Sequence, residues 1–267
     1  MSGAFADINV SLTDHIATVE IDRPPHNFFD RDLIAQIADA YGELDEDPRC
    51  RAVVLCSNGK SFCAGANFGS GREDRSGNEE FTEDGFRSTT GQLYREGVRL
   101  FSAKTPVVAA VQGAAVGGGL GLALTADFRV GAPEARFAAN FVKLGIHPGF
   151  GLTVTLPNLI GQQTANLMFL TGRRIKGEEA LALGLIDQLV PLDEVRSAAT
   201  AMAGEIAENA PLAIGSVRAT VRQGLAERIA AATDHELAEQ QWLRATEDAA
   251  EGIRAVAERR PGNFQGK

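Results

Sequence analysis

The sequence predicts an α/β fold with a helical final third, on three observations. Over the first 190 residues, short strand-like runs alternate with segments of helical periodicity. Two of those runs, 52–56 (AVVLC) and 107–111 (VVAAV), are apolar throughout, the pattern of strands buried on both faces of a parallel sheet. No strand-like run follows Pro191. A length of 267 residues lies near the upper limit for one core, so a core with an appendage is expected: 1–195 as the body and 196–267 as a helical C-terminal region.

Taken in order, residues 15–21 (HIATVEI) set Ala17, Val19 and Ile21 against Thr18 and Glu20, the period of a strand. Asp30 is a candidate N-cap for a helix carrying Leu33, Ile34, Ile37, Ala38, Tyr41 and Leu44 at steps of three and four, ending near Asp47-Pro48. The strand at 52–56 follows. Residues 69–91 are rich in Gly, Ser and acidic side chains and read as a long mobile flap. A helix over Gln92–Ala103 leads to the strand at 107–111, a glycine turn running into a short helix, and a strand at 127–131. Helices are predicted over Leu152–Ile160, Thr164–Leu170 and Gly177–Ala182, with a strand-like LIDQLV at 185–190. Asn209-Ala210-Pro211 is a helix start, and Leu225, Ile229, Leu237, Trp242, Leu243, Ile253 and Val256 follow at helical spacing.

Composition narrows the function. A net charge of −9 and a pI near 5.0 repel polyanions, so no nucleic-acid partner is expected. The opening MSGAFADINV has neither a basic nor an apolar leader region, and no apolar run reaches the roughly 18 residues of a spanning helix, so neither secretion nor membrane insertion is expected. Cys50, Cys56 and Cys63 are odd in number and lack C-x-x-C spacing, which points to reduced thiols in a cytoplasmic protein without a metal site.

Two segments share a design suited to chemistry: 53–68 (VVLCSNGKSFCAGANF) and 107–124 (VVAAVQGAAVGGGLGLAL) each run from a buried strand through small residues into a helix start. Small side chains let backbone N–H groups approach a ligand, and two such groups converging on one oxygen form an oxyanion hole. Alone, either loop is explained as well by a tight turn. Leucine at 122 or 124 breaks the dinucleotide-binding fingerprint, and neither a G-x-S-x-G elbow nor a phosphate-binding P-loop is present.

Together, SFCAGANF, TPVVAAVQGAAVGGGLGLALTADFRV and LGIHPGFG resemble the three motif segments of the enoyl-CoA hydratase/isomerase (crotonase) family. LTGRRIKGEEALALGLIDQLVP, AERRPGNFQGK, Asp22-Arg23-Pro24 and Asn27 extend the resemblance over nearly the whole chain. It implies a spiral of β-β-α turns with a helical C-terminal region that mediates trimerisation, as a homotrimer or a dimer of trimers. It also implies an acyl-CoA thioester as ligand, with no cofactor beyond its CoA moiety. The backbone N–H groups of Ala66 and Gly118 would hold the thioester oxygen, while His26, Ala64, Asn67, Phe68, Gly117 and Phe141 would line the substrate path. Phe264 and Lys267 would reach CoA across a subunit interface.

The departures from that pattern bear on the reaction. Gly121 and Phe141 stand where a typical hydratase carries its two glutamates, and Gly149-Phe150 stands where isomerase relatives place an acid. Hydration needs a carboxylate to activate water and a proton source for the α-carbon, which glycine and phenylalanine do not supply. Three substitutes are conceivable: His147 as general acid/base, an acid of the flap (Glu79, Glu80, Glu83 or Asp84), or an anion such as bicarbonate at Gly121, as in naphthoate synthase relatives. His147 is read equally as a hydrogen-bonded loop residue, Asp127 as a buried structural carboxylate, and Cys63 as a small buried thiol. The sequence therefore leaves an enolate-forming enzyme (hydratase, isomerase, decarboxylase or hydrolase) beside a CoA-ester binding protein without catalysis.

Overall fold

The computed structural model describes residues 5–66 and 83–267, and the side chains among these other than those of 83–87. Asn67, Phe68 and residues 69–82 of the expected flap lie outside the described residues, as do the side chains of Glu83 and Asp84. An antiparallel hairpin opens the chain, β1 (Ile8–Thr13) and β2 (Ile16–Ile21), turning over Asp14 and His15 at positive φ. Ile8, Val10 and Leu12 alternate along β1, although it is not among the predicted strands. Helix α1 (Arg31–Asp45) begins at Asp30, whose carboxylate accepts from the Leu33 N–H at 2.9 Å as the N-cap reading requires.

The body then winds in repeated turns, each giving one strand to each of two sheets. β3 (Ala52–Ser57), β5 (Val107–Val111) and β7 (Phe128–Gly131) join the first, ordered β1-β2-β3-β5-β7-β10 with β10 at Gln188–Leu189. β4 (Ser61–Cys63), β6 (Ala114–Val116) and β8 (Arg136–Ala138) join the second, ordered β4-β6-β8-β9 with β9 at Arg174–Lys176. The stretch 185–190 supplies only the two residues of β10; Leu185–Asp187 form a bend.

Side chains of β3, β5 and β7 leave the first sheet alternately. Val53, Leu55, Val107, Ala109 and Val111 enter the main core, whereas Ala52, Val54, Cys56, Val108, Ala110 and Val130 face helix α7 (Val195–Ala207) through its Val195, Ala199, Ala203 and Ala207. Between the second and third turns lies α3 (Gly118–Ala123), wholly buried. Helix α2 spans Glu83–Ser102, so it begins nine residues before the predicted start at Gln92. Tertiary packing explains the difference: α9 (Leu225–Leu243) runs alongside, and a Cβ at Gly91 would touch Leu237.

The remaining helices are α4 (Leu152–Ile160), α5 (Gln162–Thr171), α6 (Gly177–Ala182), α8 (Pro211–Val221) and α10 (Glu247–Ala257). Arg218 and Arg222 tie α8 to the body through Asp127, which also accepts from the Val107 N–H at 2.8 Å. Asp127 thus takes the expected structural role, partly rather than fully buried. α10 lies on the 3-10 turn Phe141–Leu144, so close that a Cβ at Gly145 would sit 2.8 Å from the Ala249 backbone. Among the described residues no helix is long and apolar enough to cross a membrane.

Candidate active site

β4 and β6 pair in parallel, with Ser61 beside Ala114 and Cys63 beside Ala115, so the two small-residue loops leave the sheet at the same end. The first loop is clamped by the preceding segment. Buried Asn27 donates to the Ser61 and Asn58 carbonyls at 2.7 and 2.6 Å, the Ala64 N–H donates to His26 at 3.0 Å, and the Phe29 N–H donates to Gly65 at 3.1 Å. Gly65, at φ +82°, is pressed against the second loop: a Cβ there would lie 2.7 Å from the Val116 carbonyl oxygen and 3.7 Å from the Gly118 nitrogen. Ala66, next along, is exposed, and Gly118 is the first residue of α3, where an N–H has no intrahelical partner.

Position 121 lies one turn further along α3, on the face that carries position 118. Both are covered by aromatic rings. Phe29 lies over Gly118, so close that a Cβ there would overlap its ring, and Phe150 lies over Gly121, where a Cβ would be 2.8 Å from its Cδ1. The two rings are 5.4 Å apart, and Tyr94 meets Phe150 edge-on at 6.3 Å. Tyr94 donates its hydroxyl to Gln240 at 2.9 Å, and the same hydroxyl occupies the space a side chain at Gly149 would need. Burial holds the Tyr94 hydroxyl protonated, well above the ordinary tyrosine range. Apolar and neutral groups therefore fill the space beside Gly121 and Gly149.

Residues 12–267 match the family model described as enoyl-CoA hydratase/isomerase. The chain belongs to that family. Among its relatives, it is 34% identical to a crotonyl-CoA hydratase of Syntrophomonas wolfei, over 99% of this chain and 100% of that one. It is also 34% identical to a carnitinyl-CoA dehydratase of Salmonella paratyphi A, over 97% and 98%. Among solved structures, an enoyl-CoA hydratase/isomerase from Pseudoalteromonas atlantica superposes with a TM-score of 0.83 at 29% identity, covering 97% of this chain and all of the other. The crotonase fold expected from the sequence is thereby established.

In this member of the enoyl-CoA hydratase/isomerase family, the other predicted site residues fall in three places. Ala64 and Gly117 belong to the two loops, and His26 to the preceding segment that clamps the first; the exposed His26 ring has its Nδ1 3.2 Å from Ser61 Oγ. Buried Phe141 joins them, its Cζ 3.7 Å from where a Cβ of Gly117 would stand. His147 contacts α9: its ring meets that of His235 at 5.9 Å, its carbonyl accepts from Gln240 at 2.8 Å, and its Nδ1 lies 2.7 Å from the Pro148 oxygen. Phe264 and Lys267 are exposed on a tail fastened to α10 through Asp248 and Glu247. Cys63 is fully buried, and burial pushes its thiol up to about 12, which fits the inert reading.

Sequence reasoning missed the aromatic set of Phe29, Tyr94 and Phe150, and with it buried Glu236 of α9. The Glu236 carboxylate accepts from the Gly151 N–H at 2.8 Å, the Thr153 N–H at 3.1 Å and the Thr153 hydroxyl at 2.6 Å. It caps α4 from outside its own segment and fixes the turn that carries Phe150. The available signal was Phe150 itself, a large apolar residue where an acid was sought.

Proposed function

We propose that this chain is an enzyme acting on an acyl-CoA thioester, with the Ala66 and Gly118 N–H groups as its oxyanion hole. The observation that supports the reading is the seating of Gly65 against Val116–Gly118, which brings the two segments side by side. An enolate concentrates charge on the thioester oxygen, and one preorganised donor in such a hole stabilises it by about 3–4 kcal/mol. Crotonyl-CoA and carnitinyl-CoA, named for two relatives, are the first substrates to try.

Ordinary hydratase turnover is proposed to be weak, because positions 121 and 141 carry no carboxylate and a ring stands over the first. The acid/base is then His147, a side chain of the flap, or an anion such as bicarbonate bound elsewhere than at Gly121, where the Phe150 ring leaves it no space. Exchange of α-protons in deuterated water on a panel of acyl-CoAs, with and without bicarbonate, tests this. Exchange stimulated by bicarbonate supports the anion; absence of exchange with every thioester refutes the enolate reading. Crotonyl-CoA hydration at the rate of an ordinary hydratase would refute the reading of Gly121 and Phe141. The packing of Phe150 against Gly121 and of Tyr94 against Gly149 favours a second reading, a CoA-ester binding protein without catalysis. Calorimetric binding beside failed exchange would identify it.

Assembly is proposed through the helical region 196–267, as a homotrimer or a dimer of trimers. Leu212, Val217 and Val221 leave an apolar face on α8, at 89%, 61% and 75% exposure. Phe264 and Lys267 would then reach the CoA of a neighbouring subunit.

A further inference from the structure

We propose that Phe150 is the specificity-determining residue of the acyl pocket, and that it limits this protein to short acyl thioesters. The inference rests on the acyl-CoA reading above and adds the class of acyl group.

Phe150 is built in as a plug. Its ring is sandwiched between two helices that each present glycine to it: a Cβ at Gly121 of α3 would come within 2.8 Å of the ring, and one at Gly97 of α2 within 3.0 Å. Any larger residue at either position would displace it. Phe29 and Tyr94 close two further sides, and Phe150 is 2% exposed.

The backbone is held to this arrangement as well. Phe150 adopts φ +61°, a conformation that side chains with a Cβ rarely take, and Gly151 follows at +73°. The buried Glu236 carboxylate fixes the pair through the Gly151 and Thr153 N–H groups. Such a turn persists only where its surroundings over-determine it, and here they aim one ring at one socket.

The socket lies one helical turn from the proposed oxyanion donor Gly118. An acyl chain whose thioester oxygen sat there would meet the Phe29 and Phe150 rings within a few carbons. Behind Phe150, the crevice bounded by Tyr94, Gly97, Phe101, Ile229 and Thr233 has no room even for a water molecule. A long chain has nowhere to run in this direction while the ring is in place. Removing the ring would open an apolar space on the order of 100 Å³, comparable to engineered cavities that take up benzene.

Seating a methylene in an apolar pocket improves binding by about fourfold. An unobstructed pocket that seats all four extra methylenes would therefore favour octanoyl-CoA over butyryl-CoA by about 250-fold. The experiment titrates CoA, butyryl-CoA and octanoyl-CoA calorimetrically into the full-length protein and its Phe150→Ala and Phe150→Leu variants. The unaltered protein is expected to bind octanoyl-CoA no more tightly than butyryl-CoA. Phe150→Ala is expected to shift the ratio toward octanoyl-CoA by about tenfold or more, as room for two methylenes implies, with Phe150→Leu between them. CoA affinity is expected to be equal in all three, which also reports that the variants are folded.

A strong octanoyl preference in the unaltered protein overturns the plug, whatever the variants do. So does an unchanged ratio in a variant that still binds CoA. Failure of the unaltered protein to bind CoA or any thioester is a different result, and refutes the acyl-CoA reading itself.

Discussion

Installing a glutamate on α3, Gly121→Glu, tests whether the position is vacant or filled. A Cβ at this position would stand 2.8 Å from Phe150 Cδ1, 3.1 Å from its Cβ and 3.3 Å from its Cγ. The ring has no retreat, because Gly97 meets its other edge and Phe29 and Tyr94 flank it. Overpacking of this kind costs about 1–3 kcal/mol. Burying the carboxyl group without a partner adds about 1–3 kcal/mol, while the gain in helix propensity over glycine returns only about 0.5 kcal/mol. The single variant should lose about 2–5 kcal/mol, a large share of the roughly 5–15 kcal/mol that holds a domain together.

Phe150→Ala alone should cost about 3–5 kcal/mol through the cavity it leaves. In the double variant the new glutamate enters that cavity, so its steric cost disappears and part of the lost volume is refilled. The two changes should therefore couple favourably by about 2 kcal/mol or more, well beyond the additivity error of about 0.5 kcal/mol. Urea unfolding of the four proteins closes the cycle. Crotonyl-CoA hydration gives a second reading: a general base typically contributes on the order of 10²–10⁴ in rate. The double variant should exceed both singles and the unaltered protein, by about tenfold at least. Additive free energies, or a Gly121→Glu protein as stable as its parent, would refute the claim that Phe150 fills the site.

Three further outcomes are expected. Asp127→Ala strands Arg218, whose side chain is only 9% exposed, and removes the partner of Arg222; denaturant unfolding should show a loss of about 3–5 kcal/mol, and a loss below about 1 kcal/mol would refute the role assigned to this cluster in fixing α8. Burial raises the Glu236 carboxyl above its ordinary 4.5, against hydrogen bonds from Thr153 and Gly151. Below pH 4.5 both states are protonated; above it the unfolded chain releases its proton first, so the stability of the parent relative to Glu236→Gln must fall as pH rises from 4 to 7, and an increase over that range would contradict the burial argument. Cys56 and Cys63 are buried, with thiols pushed up to about 11 and about 12; at pH 8 a disulfide-exchange reagent should leave both unmodified in the native protein and titrate all three cysteines in denaturant.

What the sequence revealed follows from the range over which each signal acts. Asp30 and the apolar steps after it specify α1 within one segment, so its start and buried face were legible. The small-residue loops were legible because both their composition and their place after an all-apolar strand are local. The three-residue strands β4, β6, β8 and β9 were not, since a period of two cannot be recognised over three residues. The start of α2 was misplaced for another reason: its early part carries no apolar periodicity, and the helix lies against α9, which is far along the chain and meets it at Gly91.

The aromatic plug shows how an absence in the sequence becomes a presence in the structure. Read along the chain, Gly121 stands where a hydratase carries a glutamate and Gly149 where isomerase relatives place an acid, by the resemblance to the family's motifs. In three dimensions each is the condition for something else, since Gly121 admits the Phe150 ring and Gly149 admits the Tyr94 hydroxyl with its Gln240 partner. Glycine at 97 and the Glu236 carboxylate behind the turn serve the same arrangement, yet none of these residues is close in sequence to the others. The space beside both glycines is closed by rings packed on several sides. Such packing requires complementary residues on α2, α3, α9 and the turn before α4. This shared packing is what the proposed acyl pocket rests on: an aromatic surface closed on several sides, with no acid at either position.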